Sequence, residues 1–242
     1  MESQTFHRWP WLDMLRGLAI LMMIAFHLCF DLTYWRLADF QLLSDWRWMA
    51  WRNGIVSLFV FIMGMGLCLA MEQTTARFWL RLMRIACCAG IISVVSWFMF
   101  ADRFIYFGIL HFVVLASLLG HVLLRLKSLD RQWLWLLLAL ICLGVAWLPG
   151  AEALNPRSLN WLGMAAHKPQ TEDYVPLLPW FGVVLLGMGF ARSLHHYGSY
   201  PRWHADIPAV CQPLVVLGRH SLLIYMLHQP LLMVLLWCYS SL

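Results

Sequence analysis

The chain has 242 residues, of which 62% are hydrophobic and only 12% charged, and its mean hydropathy is +0.70. Soluble domains carry about 25% charged residues, so the composition excludes a water-soluble enzyme and points to a polytopic protein of the lipid bilayer, one domain over residues 1–242. The net charge of +5 is no nucleic-acid signature, because the basic residues are dispersed through connections between apolar stretches, where they act as topology determinants.

Seven apolar segments approach the roughly 20 residues that a spanning helix requires. They lie at 14–35, 53–71, 83–100, 104–124, 132–149, 175–192 and 216–239. The fifth is short and ends at Pro149-Gly150. None alternates with a period of two, so the expected fold is all-α, a membrane bundle of about seven helices, and not a β-barrel. The first thirteen residues hold His7, Arg8, Pro10 and Asp13 without a cleavage site, so the first span is expected to remain as an anchor. The seven Cys form no CxxC and mostly lie within apolar spans, which favours buried thiols over a disulfide or zinc framework.

Orientation follows from Lys and Arg. The N-terminal end and the second, fourth and sixth connections together hold 11, including Arg8, Arg16, Arg77, Lys127 and Arg202; the opposite side holds 6. The richer side belongs in the cytoplasm, so the N-terminus is expected inside. Residues 36–52, with Trp46, Trp48 and Trp51, read as an amphipathic segment lying on the outer surface. The outer connection 150–174, with Asn155-Pro156, Pro169, Glu172 and Asp173, suits either a cap over a cavity or a solvated loop. Pro179 and Pro230 are expected to kink the sixth and seventh spans.

The first span, within LDMLRGLAILMMIAFHLCFD at 12–31, carries Asp13, Arg16, His27 and Asp31. Spacings of three, eleven and four return to one side of a helix at about 100° per residue. Arg16 and His27 are separated by roughly 16 Å along the axis, which puts His27 near mid-membrane, where ionisable groups face a cavity or protein interior. His111 lies roughly 12 Å inward from Arg103, and His228 roughly 13 Å inward from Arg219. Three His at one depth on three helices suggest a shared polar site, although each alone is also consistent with a local hydrogen bond. His27 and Asp31 form an i, i+4 pair in which the carboxylate would orient the imidazole as a general base; a plain structural hydrogen bond is the alternative. Arg77, Arg81 and Arg84 line one side of the third helix, with Arg125 and Lys127 expected at the same surface. Guanidinium groups there suit either a phosphate-bearing ligand or lipid headgroups. The glycines of FIMGMG and PWFGVVLLGMG permit close helix approach.

Together these residues resemble a known family. LDMLRGLAILMMIAFH resembles the first-helix signature of transmembrane acyltransferases, and Arg81-Leu-Met-Arg84 resembles the RxxR element of the acyltransferase type 3 group. FIMG (61–64), GILHF (108–112), DYVPLLPWFG (173–182) and GRHSLLIYMLHQP (218–230) resemble the bacterial branch of the heparan-alpha-glucosaminide N-acetyltransferase catalytic-domain family. The resemblance implies a multi-pass protein of the bacterial inner membrane that transfers an acyl group, usually acetyl, from cytoplasmic acetyl-CoA as co-substrate to a sugar or glycan outside, without a metal. Carried over by position, His27 would be the base or acyl-transfer residue, and Arg16, Arg81 and Arg84 would hold coenzyme A or support the site. Asp31, His111 and His228 join His27 as candidate catalytic groups. Ser221 is a further candidate donor, with Asp13 and Arg219 in support. The chain departs from the family in having fewer spans and no large lumenal domain, so the heparan substrate is not carried over. A homodimer is compatible with so small a bundle. Two other classes remain open on the residues alone: a small-solute transporter, suited by buried charges and Pro/Gly-interrupted spans, and a haem-binding membrane subunit using two of the three His.

Overall fold

The structure is a computed structural model that describes residues 9–42, 44–70, 74–126, 131–196 and 207–240. Arg8, Lys127 and Arg202, which entered the orientation and surface-charge readings, lie outside the described residues. Nine α-helices are present among the described residues: α1 (Pro10–Tyr34), α2 (Trp46–Ala70), α3 (Thr75–Phe100), α4 (Ile109–Arg125), α5 (Gln132–Gly144), α6 (Arg157–Asn160), α7 (Leu177–His196), α8 (Gln212–Arg219) and α9 (Ser221–Ser240). The only extended pairings there are isolated bridges, Phe107 to Tyr174 and Ala151 to Ala165, so the fold is all-α.

Five helices are long and apolar enough to cross a membrane: Pro10–Tyr34, Trp46–Leu69, Thr75–Arg103, Leu177–Leu194 and Ser221–Ser240. This is fewer than the expected seven among the described residues. The stretches 104–124 and 132–149 form helices of 17 and 13 residues, roughly 26 and 20 Å long against a core of about 30 Å. Residues 104–108 are given over to the loop that starts α4, and α5 gives way to a short 3-10 turn before Pro149. The apolar run 216–239 is likewise divided at His220, which separates α8 from α9. Trp46, Trp48 and Trp51 belong to α2 itself and form no separate surface helix. Pro179 opens the regular part of α7, since Leu178 has extended backbone angles (φ −100°, ψ 136°). Pro230 lies inside α9, where it withholds one backbone hydrogen bond.

The chain divides into two compact units, residues 1–59 with 199–242, and residues 60–198. In the first, α1 packs on α8 through two glycines. A Cβ on Gly17 would fall on the Leu214 carbonyl, and a Cβ on Gly218 would fall on the Asp13 carbonyl. The backbones therefore meet directly, as small residues allow between membrane helices. At the other end of α1, Phe26 packs with Leu42 and Ile55, and its ring meets Trp48 and Trp51 at 6.2 and 5.9 Å.

In the second unit, α2 and α7 approach at Gly64 and Gly187, whose Cβ positions are filled by the Val184 and Phe61 carbonyls. The connection 150–174 is folded over the start of α4. Glu172 pairs with Arg103 at 3.2 Å, and Asp173 Oδ2 accepts the Ile109 N–H at 2.8 Å. Asp173 occupies the space that a Cβ on Gly108 would need, so the loop carboxylate supplies the helix cap that Gly108 cannot. Burial pushes the Asp173 carboxyl up from its ordinary range, while N–H bonds from Ile109 and Tyr174 oppose that shift.

Two predictions follow from this packing. Gly218→Ala should lower the thermal midpoint in detergent, by the equivalent of about 1–3 kcal/mol or more, because backbone cannot yield as a side chain can. Gly54→Ala, where the added methyl meets open space, should hold or raise it; equal behaviour of the two variants would contradict the close approach. Because the folded state holds the Asp173 proton more tightly than the unfolded chain, this group's contribution to stability should fall as pH rises through the carboxylate range to its raised value. The midpoint of wild type relative to Asp173→Asn should therefore decline over that window, and a constant difference would contradict it.

Candidate active site

The polar face of α1 separates into two clusters. Near its start, Asp13 is fully buried, and Arg16 Nη1 donates to its Oδ1 at 2.9 Å. Arg219 Nε at the end of α8 lies 3.7 Å from Asp13 Oδ2. The Gly17 and Gly218 contacts are what bring that guanidinium to the carboxylate. Arg16, expected to hold coenzyme A, is thus engaged with Asp13. Ser221 opens α9 two turns before His228, roughly 10 Å away along the axis, so the structure does not bring it to the His pair.

The second cluster lies three to five turns further along α1. The rings of His27 and His228 meet edge to face, with centroids 4.9 Å apart. Phe26 packs on His27 and Tyr225 on His228, with ring centroids 6.2 and 5.6 Å apart. The expected pairing of His27 with Asp31 is not what the fold makes. Gln229 Nε2 donates to Asp31 Oδ1 at 2.8 Å, and Asp31 Oδ2 has no hydrogen-bond partner among the described residues. A partner on α9 has replaced the local one because α9 presents an amide at the same level. The sequence reading missed Gln229; its place beside His228 in LHQP was the available signal.

The state of His228 follows from its contacts. Nδ1 lies 2.6 Å from the Tyr225 carbonyl. A carbonyl only accepts, so Nδ1 carries the proton, and in the neutral ring Nε2 presents a lone pair. That Nε2 is buried and has no hydrogen-bond partner among the described residues, and neither does Gln229 Oε1. Buried polar atoms left unmade are uncommon and concentrate at working sites.

His111 belongs to the other unit and is differently occupied. Ser93 Oγ donates to the Ile105 carbonyl at 2.7 Å, so its oxygen is left to accept from His111 Nε2 at 3.0 Å. The Gly108 N–H then donates to His111 Nδ1 at 3.3 Å. Both ring nitrogens serve the α3–α4 junction, which gives His111 a structural place in the capping loop. Arg77, Arg81 and Arg84 are exposed on α3, about a quarter-turn from its buried stripe of Phe78, Leu82, Ile85 and Ala89. Arg125 is exposed at the end of α4.

Among the described residues, no group of three His, Cys, Asp or Glu side chains is placed to hold a metal ion.

No curated protein and no solved structure matches the chain. A family model does, described as heparan-alpha-glucosaminide N-acetyltransferase, catalytic, over residues 8–230. That match takes in both polar clusters of α1, the Arg pair of α3, the Gly108–Asp173 cap and α9 as far as Pro230. The chain therefore belongs to the heparan-alpha-glucosaminide N-acetyltransferase catalytic-domain family.

Proposed function

We propose that this chain is a multi-pass membrane acyltransferase that moves an acetyl group from acetyl-CoA to a carbohydrate-like acceptor, with His27 as the proton-accepting group. The observation that carries this reading is the His27–His228 contact. Two imidazoles meet inside apolar helices, walled by Phe26 and Tyr225, beside polar atoms that have no hydrogen-bond partner among the described residues. Family membership supports acetyl transfer as the chemistry, and the five long apolar helices support the membrane setting.

His27 takes the proton from an acceptor hydroxyl or amine as that atom attacks the thioester carbonyl. The acyl–oxygen or acyl–nitrogen bond forms as the carbon–sulfur bond breaks, and the proton held on His27 passes to the departing thiolate. Asp31 acts by clamping α9 to α1 through Gln229. Arg81 and Arg84, spaced i, i+3 and exposed, hold the phosphates of coenzyme A. With the N-terminus in the cytoplasm of a bacterial inner membrane, that face would meet the donor.

The test is transfer of radiolabelled acetyl from acetyl-CoA to a panel of amino and neutral sugars by purified protein in nanodiscs. His27→Ala should lower the rate by about 10²–10⁴-fold while the protein elutes as folded material. Transfer at the wild-type rate by His27→Ala would overturn the assignment.

A further inference from the structure

His228 presents a problem of its own. Its Nδ1–H is committed to the Tyr225 carbonyl, and its Nε2 lone pair is buried without a partner among the described residues. The ring in contact with it on the α1 side is His27, which is only partly buried. The helices that carry the two rings are fixed to each other close by. Gln229, the neighbour of His228, donates to Asp31, one turn beyond His27, and this bond sets the register of α9 on α1. The ring torsion of a His side chain is broad, so His27 can turn about its Cβ–Cγ bond while its ring stays beside that of His228.

We propose that His228 is the positioning residue of His27: its Nε2 accepts an N–H from His27 and thereby fixes which nitrogen of His27 stays bare for the incoming acceptor. The inference rests on the reading of His27 as the base. It transfers to His228 the orienting role that sequence spacing had given to Asp31. The chemical logic is that of a base held in one tautomer by an acceptor behind it. Here the acceptor is a neutral imidazole whose own tautomer is set by a backbone carbonyl. A neutral partner adds no buried charge to the apolar interior, whereas a carboxylate in that place would. Asp31 and Gln229 support the arrangement from one turn away.

The test uses two readouts. In protein labelled with ¹⁵N at histidine and held in nanodiscs, long-range ¹⁵N–¹H spectra report the tautomer of each ring. His228 should appear as the Nδ1–H form, and His27 as one tautomer. In His228→Ala the His27 signals should move to values averaged over both forms. In His228→Gln, whose amide oxygen reaches the place of Nε2, they should stay single. Transfer should follow the same order, falling about 100-fold in His228→Ala and recovering most of that in His228→Gln. His27 signals unchanged in a folded His228→Ala protein would overturn the inference. So would Nε2–H signals from His228 in wild type. These outcomes are separable from failure of the underlying reading: active His27→Ala removes the base and the inference with it, whereas inactive His27→Ala with indifferent His27 spectra removes the inference alone.

Discussion

The structure of the first unit depends on one constraint: polar groups placed inside an apolar helix have to be met by protein, because lipid offers them nothing. Helix α1 carries two carboxylates, an Arg and a His along one face. Its partners are α8 and α9, and each contact answers a specific need. Arg219 comes to Asp13 because Gly17 and Gly218 let the two backbones touch. Gln229 comes to Asp31 one turn beyond the His pair. Around the His pair, His228 Nε2, Asp31 Oδ2 and Gln229 Oε1 keep unused hydrogen-bonding capacity among the described residues, as does Trp35 Nε1 at the end of α1.

Much of this was legible in the sequence. The spacing of Asp13, Arg16, His27 and Asp31 defined the polar face of α1, and counting residues inward from Arg219 placed His228 at the depth of His27. The pairing of Asp31 was not legible. An i, i+4 neighbour is always visible, whereas Gln229 stands 198 positions away and carries no charge to mark it. The role of His111 was equally hidden, since it depends on a serine from α3 and a loop amide. Hydropathy does not register a break of helix inside an apolar run, as at His220 and at residues 104–108, so it overstates the length of the spans there.

The family motifs acquire physical content in the same way. GILHF and DYVP lie far apart in sequence but meet at the start of α4, where Gly108 leaves room for the Asp173 carboxylate and His111 closes on Ser93. GRHSLLIYMLHQP contributes Gly218 to one close helix contact, Arg219 to an ion pair, and Tyr225, His228 and Gln229 to the His cluster. Within the first unit His228 touches His27, and its Nε2, without a hydrogen-bond partner among the described residues, distinguishes it from His111, whose nitrogens are both bonded.

The central claim, that the protein binds acetyl-CoA through its Arg pair and reserves His27 for chemistry, is tested most directly by calorimetric titration of acetyl-CoA into purified protein in detergent. Wild type and His27→Ala should both bind the donor, and the Arg81→Ala/Arg84→Ala variant should lose binding. Absence of binding by a well-folded wild type would contradict the account.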